Sequence, residues 1–224
     1  MSKHNEGRRA FLVGAAVGAS AVASARLLPD AQAQGEMPQR MGTGPMPAHS
    51  PSTEAKYRAF FNEEDAATIA AFAERLMPGA PGRPGARDAD VLNYIDLALS
   101  GAYADMQDFY RRGLAALDRH CRQAYKQPFR QLDAARQDEV IATLAQGKAS
   151  GFTWPSGVAF FNAVRTHTME GMFADPVYGG NRNFAGWRLV GFPGAQPEYT
   201  RADMESPQPF TRRPMIGLQA QDRA

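Results

Sequence analysis

Few side chains in this sequence can do acid–base or metal chemistry. Between residues 57 and 199 there are two histidines, His120 and His167. His167 and Glu170 are three apart, so on a helix they share a face, and Asp175 follows closely. That grouping could supply two or three ligands of a metal site, or the acid and base of an enzyme. The plainer reading is that the imidazole and a carboxylate anchor the following loop by hydrogen bonds. His120 and Cys121 are adjacent, and helix neighbours point about 100° apart, so they do not form a catalytic pair. Cys121 is the sole cysteine, which excludes an intramolecular disulfide, a zinc finger and an iron–sulfur site. It reads as a small buried hydrophobe. No Gly-x-Gly-x-x-Gly follows a strand, and no Cys-x-x-Cys-His would attach haem. On this reading the chain has no catalytic residue, no metal ligand set and no cofactor of its own.

The most unusual stretch is Tyr178-Gly179-Gly180-Asn181-Arg182, with Trp187 just beyond. Adjacent glycines and an asparagine suit backbone with positive φ and close approach. Tyr, Arg and Trp are the residue types enriched at binding hot spots. Tyr178, Gly179, Gly180, Asn181, Arg182 and Trp187 are therefore candidates for a partner interface. A loop that packs over its own core is an equal alternative.

The elements that would position these groups are helical. Asn62 can cap a helix whose first turn carries Glu63, Glu64 and Asp65, with Phe60 and Phe61 stapling its entry. Ile69, Phe72, Ala73 and Leu76 recur at helical spacing, and Pro78 stops the run. Further helices are expected over 86–99, ending at Gly101, and over 104–125, stopped by Pro128. A fourth, near 134–146, is capped by Asp133 and ended by Gly147, and a fifth spans 155–173 with Pro155 in its first turn. After residue 176 helical period is lost, and only 187–192 could be a short strand. The tail from residue 195 has too little apolar content to fold alone. The fold class is mostly α: a small bundle of about five helices, an irregular glycine- and aromatic-rich C-terminal segment, and an extended tail at 200–224.

The N-terminus reads as an address. Arg8-Arg9-Ala10-Phe11-Leu12 opens a soft apolar run over 11–25 that is too short to span a bilayer, and Ala31-Gln32-Ala33 fits a signal peptidase. The paired arginines before Phe11 and Leu12 resemble the twin-arginine export class. Cleavage after Ala33 would remove four of the 25 basic and two of the 23 acidic residues, leaving the mature chain neutral. That balance argues against a dedicated nucleic-acid binder. Residues 34–56 read as a flexible linker rather than a copper site at Met37, Met41 and Met46, because no His or Cys stands at a fixed spacing beside them.

Three blocks carry a resemblance. The first runs from Tyr57 through Phe60-Phe61-Asn62-Glu63-Glu64-Asp65 to Pro78. The second is Pro84-Gly85-Ala86-Arg87-Asp88-Ala89 with Tyr94-Ile95-Asp96. The third runs from His167-Thr168-Met169-Glu170 to Asn181-Arg182, followed by Gly186-Trp187 and Gly191-Phe192-Pro193-Gly194. Over residues 57–199 the chain resembles the gluconate 2-dehydrogenase subunit 3 family, the small subunits of membrane-associated flavoprotein dehydrogenases. The resemblance implies a large partner of the glucose–methanol–choline type that holds FAD, and a multihaem cytochrome c that takes the electrons. It implies that the small subunit holds no redox centre. Its role would be to lend its twin-arginine signal to the large subunit, through the twin-arginine translocase, and to stabilise it in the periplasm. The other readings are an exported metal protein or enzyme using His167 and Glu170, and a stand-alone exported binding module.

Overall fold

The computed structural model describes residues 59–211 and 213–221. The export positions Arg8, Arg9, Phe11, Leu12, Ala31 and Ala33, and the linker at 34–56, lie outside the described residues. Five helices form the body: α1 (Glu63–Leu76), α2 (Val91–Ser100), α3 (Gln107–Tyr125), α4 (Ala134–Ala145) and α5 (Gly157–Phe173). Three short ones follow: α6 (Ala185–Val190), α7 (Arg201–Glu205) and α8 (Leu218–Gln221). The described residues are mostly helical and contain no strand. No helix among them is long and apolar enough to cross a membrane.

Local chemistry sets most boundaries. Asn62 and Asp133 accept from the amides of Asp65 and Arg136, capping α1 and α4. Gly101 and Gly147 follow the last turns of α2 and α4, and Gly147 has φ +69°. Three expectations need correction. The chain from Ala86 to Asp90 is a set of turns, and α2 starts only at Val91, because Asp90 is left-handed at φ 58°. Pro155 stands outside α5, because Ser156 caps that helix by accepting from the Ala159 amide. The candidate strand at 187–192 is instead the end of α6: Gly191 turns left-handed at φ 73°, and the Phe192 amide donates back to the Trp187 carbonyl, as at a helix C-terminus.

α5 is the axis. It touches α1, α2, α3, α4 and α6, and it buries residues around its circumference, among them Phe160, Val164, His167, Thr168 and Met172. α3 is one-sided. Tyr110, Leu114, Leu117 and Cys121 face inward, while Asp108–Arg112 and Asp118–Arg122 form ion pairs outside. Gly113 lets α3 approach: a Cβ there would lie 2.1 Å from the Phe160 ring. Phe72, Leu99, Phe129, Phe160 and Leu144 fill the centre.

One buried charge fastens the entry to the domain. Asp96 is almost wholly buried on α2, and its carboxylate accepts the amides of Ala59, Phe60 and Phe61 at 2.8–3.0 Å. The tail returns to the body. The Ala195 amide bonds to the Ile216 carbonyl, and the Leu218 amide donates to Asp175.

Candidate functional site

The titratable groups singled out in the sequence are placed by α5. Burial pushes the His167 pKa down to about 4, so the imidazole is neutral near pH 7. Its Nδ1 shares a 2.8 Å hydrogen bond with the Tyr110 hydroxyl, which burial keeps protonated. Tyr103 stacks on the ring at 4.7 Å, and the Tyr110 ring lies nearly parallel to it with its centroid 5.7 Å away. One turn on, Glu170 accepts from Tyr94 at 3.0 Å and from Tyr103 at 3.4 Å. Desolvation raises its pKa, and the two hydroxyls oppose that shift. Asp175 is engaged elsewhere, accepting from the Val177 and Leu218 amides. His167, Glu170 and Asp175 therefore do not converge, and no group of three His, Cys, Asp or Glu side chains among the described residues could hold a metal ion. Anchoring of the following loop holds for Asp175 alone, because His167 and Glu170 bond to tyrosines of the body. Glu170 ties together tyrosines of the body, whereas Asp175 holds the loop and the tail. His120 lies 3.2 Å from the Ser150 hydroxyl, and Cys121 is buried, with burial as the main cause raising its thiol pKa to about 12.

The segment after α5 is built around the carbonyls that a helix C-terminus leaves unpaired. Asn181 is fully buried with φ 45°. Its amide donates to the Gly171 carbonyl at 2.7 Å, its Nδ2 donates to Ala174 at 2.8 Å, and its Oδ1 accepts the Gly186 amide at 2.8 Å. Trp187 Nε1 donates to the Phe173 carbonyl at 2.7 Å. The contact is too close for side chains: a Cβ on Gly180 would sit 2.2 Å from the Gly171 oxygen, and one on Gly186 1.8 Å from the Met172 oxygen. The Gly179 carbonyl accepts from Asn93 of α2, and Tyr178 is half-buried against the core. Gly180, Asn181 and Trp187 thus face this chain's own body, where they cap α5.

Arg182 turns the other way. Its amide is tied to the Ala89 carbonyl, and its guanidinium pairs with the buried Asp90 at 3.3 Å while remaining 44% exposed. It stands in an open cleft of about 610 Å³ between the 78–90 connector and α6. Gly82, Pro84 and Asp88 form one wall, and Arg182, Asn183, Ala185, Arg188 and Leu189 the other.

Sequence reasoning missed Asp96, the tyrosine partners of His167 and Glu170, and Arg188. Asp96 carried a signal, as the only charged residue in Val91–Ser100. Arg188 carried none beyond its place in the aromatic segment.

The profile of the family described as gluconate 2-dehydrogenase subunit 3 matches residues 63–194, more than half of the chain. That span begins with α1 and ends with the glycine that pairs with Ile216. No curated protein and no solved structure matches.

Proposed function

The chain belongs to the gluconate 2-dehydrogenase subunit 3 family, and from that premise we propose that it is the non-catalytic small subunit of an exported flavoprotein dehydrogenase. Its large partner is of the glucose–methanol–choline type and holds FAD. A multihaem cytochrome c completes the complex, which works in the periplasm. The chain supplies the twin-arginine signal, read by the twin-arginine translocase, and steadies the flavoprotein.

The observation that carries this reading is the family match over residues 63–194. Two features support it. Arg8 and Arg9 precede Phe11 and Leu12, and Ala31 and Ala33 frame a cleavage site, in a pathway that moves folded proteins. Three titratable groups of the body also have internal partners: His167 meets Tyr110, Glu170 meets two tyrosines, and Asp96 meets three amides.

The test replaces Arg8 and Arg9 together by Lys and follows the flavoprotein by its FAD and by fractionation. The expected outcome is loss of at least about nine-tenths of the periplasmic flavoprotein, with the folded enzyme retained in the cytoplasm. Undiminished export of the flavoprotein would overturn the carrier role.

A further inference from the structure

The cleft between the 78–90 connector and α6 is not used by the reading above. We propose that it is the docking groove for an acidic segment of the flavoprotein partner, gripped by Arg188 and Arg182; this deepens the accessory-subunit reading and rests on it.

Both walls are preformed. On the connector, Ala80 and Arg83 exchange amide-to-carbonyl bonds of 2.8 Å, the Ala86 amide donates to Met77, and Glu74 accepts from the amides of Gly79 and Arg87. On the other wall, Asn181 holds the start of α6 through the Gly186 amide. A groove rigid before binding loses little conformational entropy when it is filled.

The charges have a direction. Three carboxylates lie on or beside the cleft, and each is already engaged. Glu74 holds two amides, Asp88 accepts the Gly85 amide, and Asp90 holds Arg182. Arg182 and Arg188 line the cleft, and the connector carries two more arginines. Arg83 and Arg87 are exposed on the connector, and neither has a side-chain ion pair among the described residues. Arg188 is exposed in the cleft wall and likewise has no carboxylate partner there. Asp90 fixes the direction of Arg182 but uses only one edge of a guanidinium that has five N–H donors. Free arginine edges above the apolar Pro84, Ala185 and Leu189 suit carboxylate side chains on an extended peptide, which arginine binds in bidentate fashion. The concave shape favours a few residues of a partner chain over a flat membrane surface, and Asp88 in the wall disfavours a uniformly anionic polymer such as nucleic acid.

The test uses the full chain, purified with its flavoprotein, which is identified by its bound FAD. Arg188→Glu is the main variant, because Arg188 is exposed and has no side-chain hydrogen bond or ion pair among the described residues, so its thermal unfolding should stay close to that of the unmodified chain. Arg83→Glu combined with Arg87→Glu probes the rim. The expected result is a drop in affinity for the flavoprotein of about ten-fold or more for Arg188→Glu, a smaller drop for the rim pair, and a shallower salt dependence in both. If the unmodified chain binds the flavoprotein and Arg188→Glu binds it equally well, the groove is overturned while the accessory role stands. If the unmodified chain binds no flavoprotein at all, both fall.

Discussion

In the body, Phe72, Leu99, Leu144 and Phe160 are fully buried against one another, and the helices are held by apolar area. In residues 174–194 the buried atoms of consequence are a carboxamide, an indole nitrogen and glycine backbone, set against the open carbonyls of α5. The two regions touch along one helix, yet they answer to different rules. Apolar packing tolerates exchange of one hydrophobe for another of similar volume and weakens in proportion to what is removed. A polar cap does not degrade that way, because removing one partner leaves a buried group with nothing to bond.

The largest expected effect tests the apolar side. Phe160→Ala removes a ring that packs beside Phe72, Phe109, Tyr110 and Phe152 and over Gly113. It should lower global stability by about 4 kcal/mol in urea unfolding, with protection from hydrogen exchange falling across all five helices. A loss confined to α5 would break the distinction.

The second prediction concerns the polar core within the bundle. The His167 pKa falls from the ordinary 6.5 to about 4 on folding. Between those values the unfolded chain takes up a proton and the folded chain does not. Stability contributed by the neutral imidazole is therefore complete above about pH 6.5 and is lost as pH falls toward 4, by roughly 3 kcal/mol in all. Glu170, whose pKa is raised, has the opposite sign: its contribution is complete below its ordinary value and is lost as pH rises through the raised one, so it offsets part of the slope. Urea midpoints at pH 7 and pH 4.5 measure the difference, and His167→Gln should flatten it. An unchanged slope in that variant would place the acid sensitivity elsewhere.

The third is smaller and local. Asn181→Ala strands the Gly186 amide and the Ala174 carbonyl, at a cost of about 2 kcal/mol. Proteolysis and hydrogen exchange should show residues 175–194 opening before the bundle does. If the bundle opened at the same time, the two regions would be one cooperative unit and the comparison would fail.

The same division explains what could be read from the sequence. Asn62 and Asp133 at their caps, Gly101 and Gly147 beyond their helices, and the stripes through Ile69 and Leu117 are local signals, and the structure keeps them. Residues 187–192 misled because Trp187, Leu189, Val190 and Phe192 form an apolar run too short to display a helical period, while the short helix is dictated by Gly191 and by the distant Phe173 carbonyl. Gly180 and Asn181 were marked as unusual, but their reason is a helix end ten residues earlier in the chain, which no local pattern displays. Asp96 stands out locally as a charge, but its partners escaped for the same cause, since they lie about 36 residues away.

Asp96 also decides how the domain meets mechanical load. Its three amide contacts join Ala59, Phe60 and Phe61 to the middle of α2. Tension applied upstream of Ala59 would thus arrive first at that carboxylate, spread over three bonds, and would be handed to the interior of the domain before it could unwind the first turn of α1.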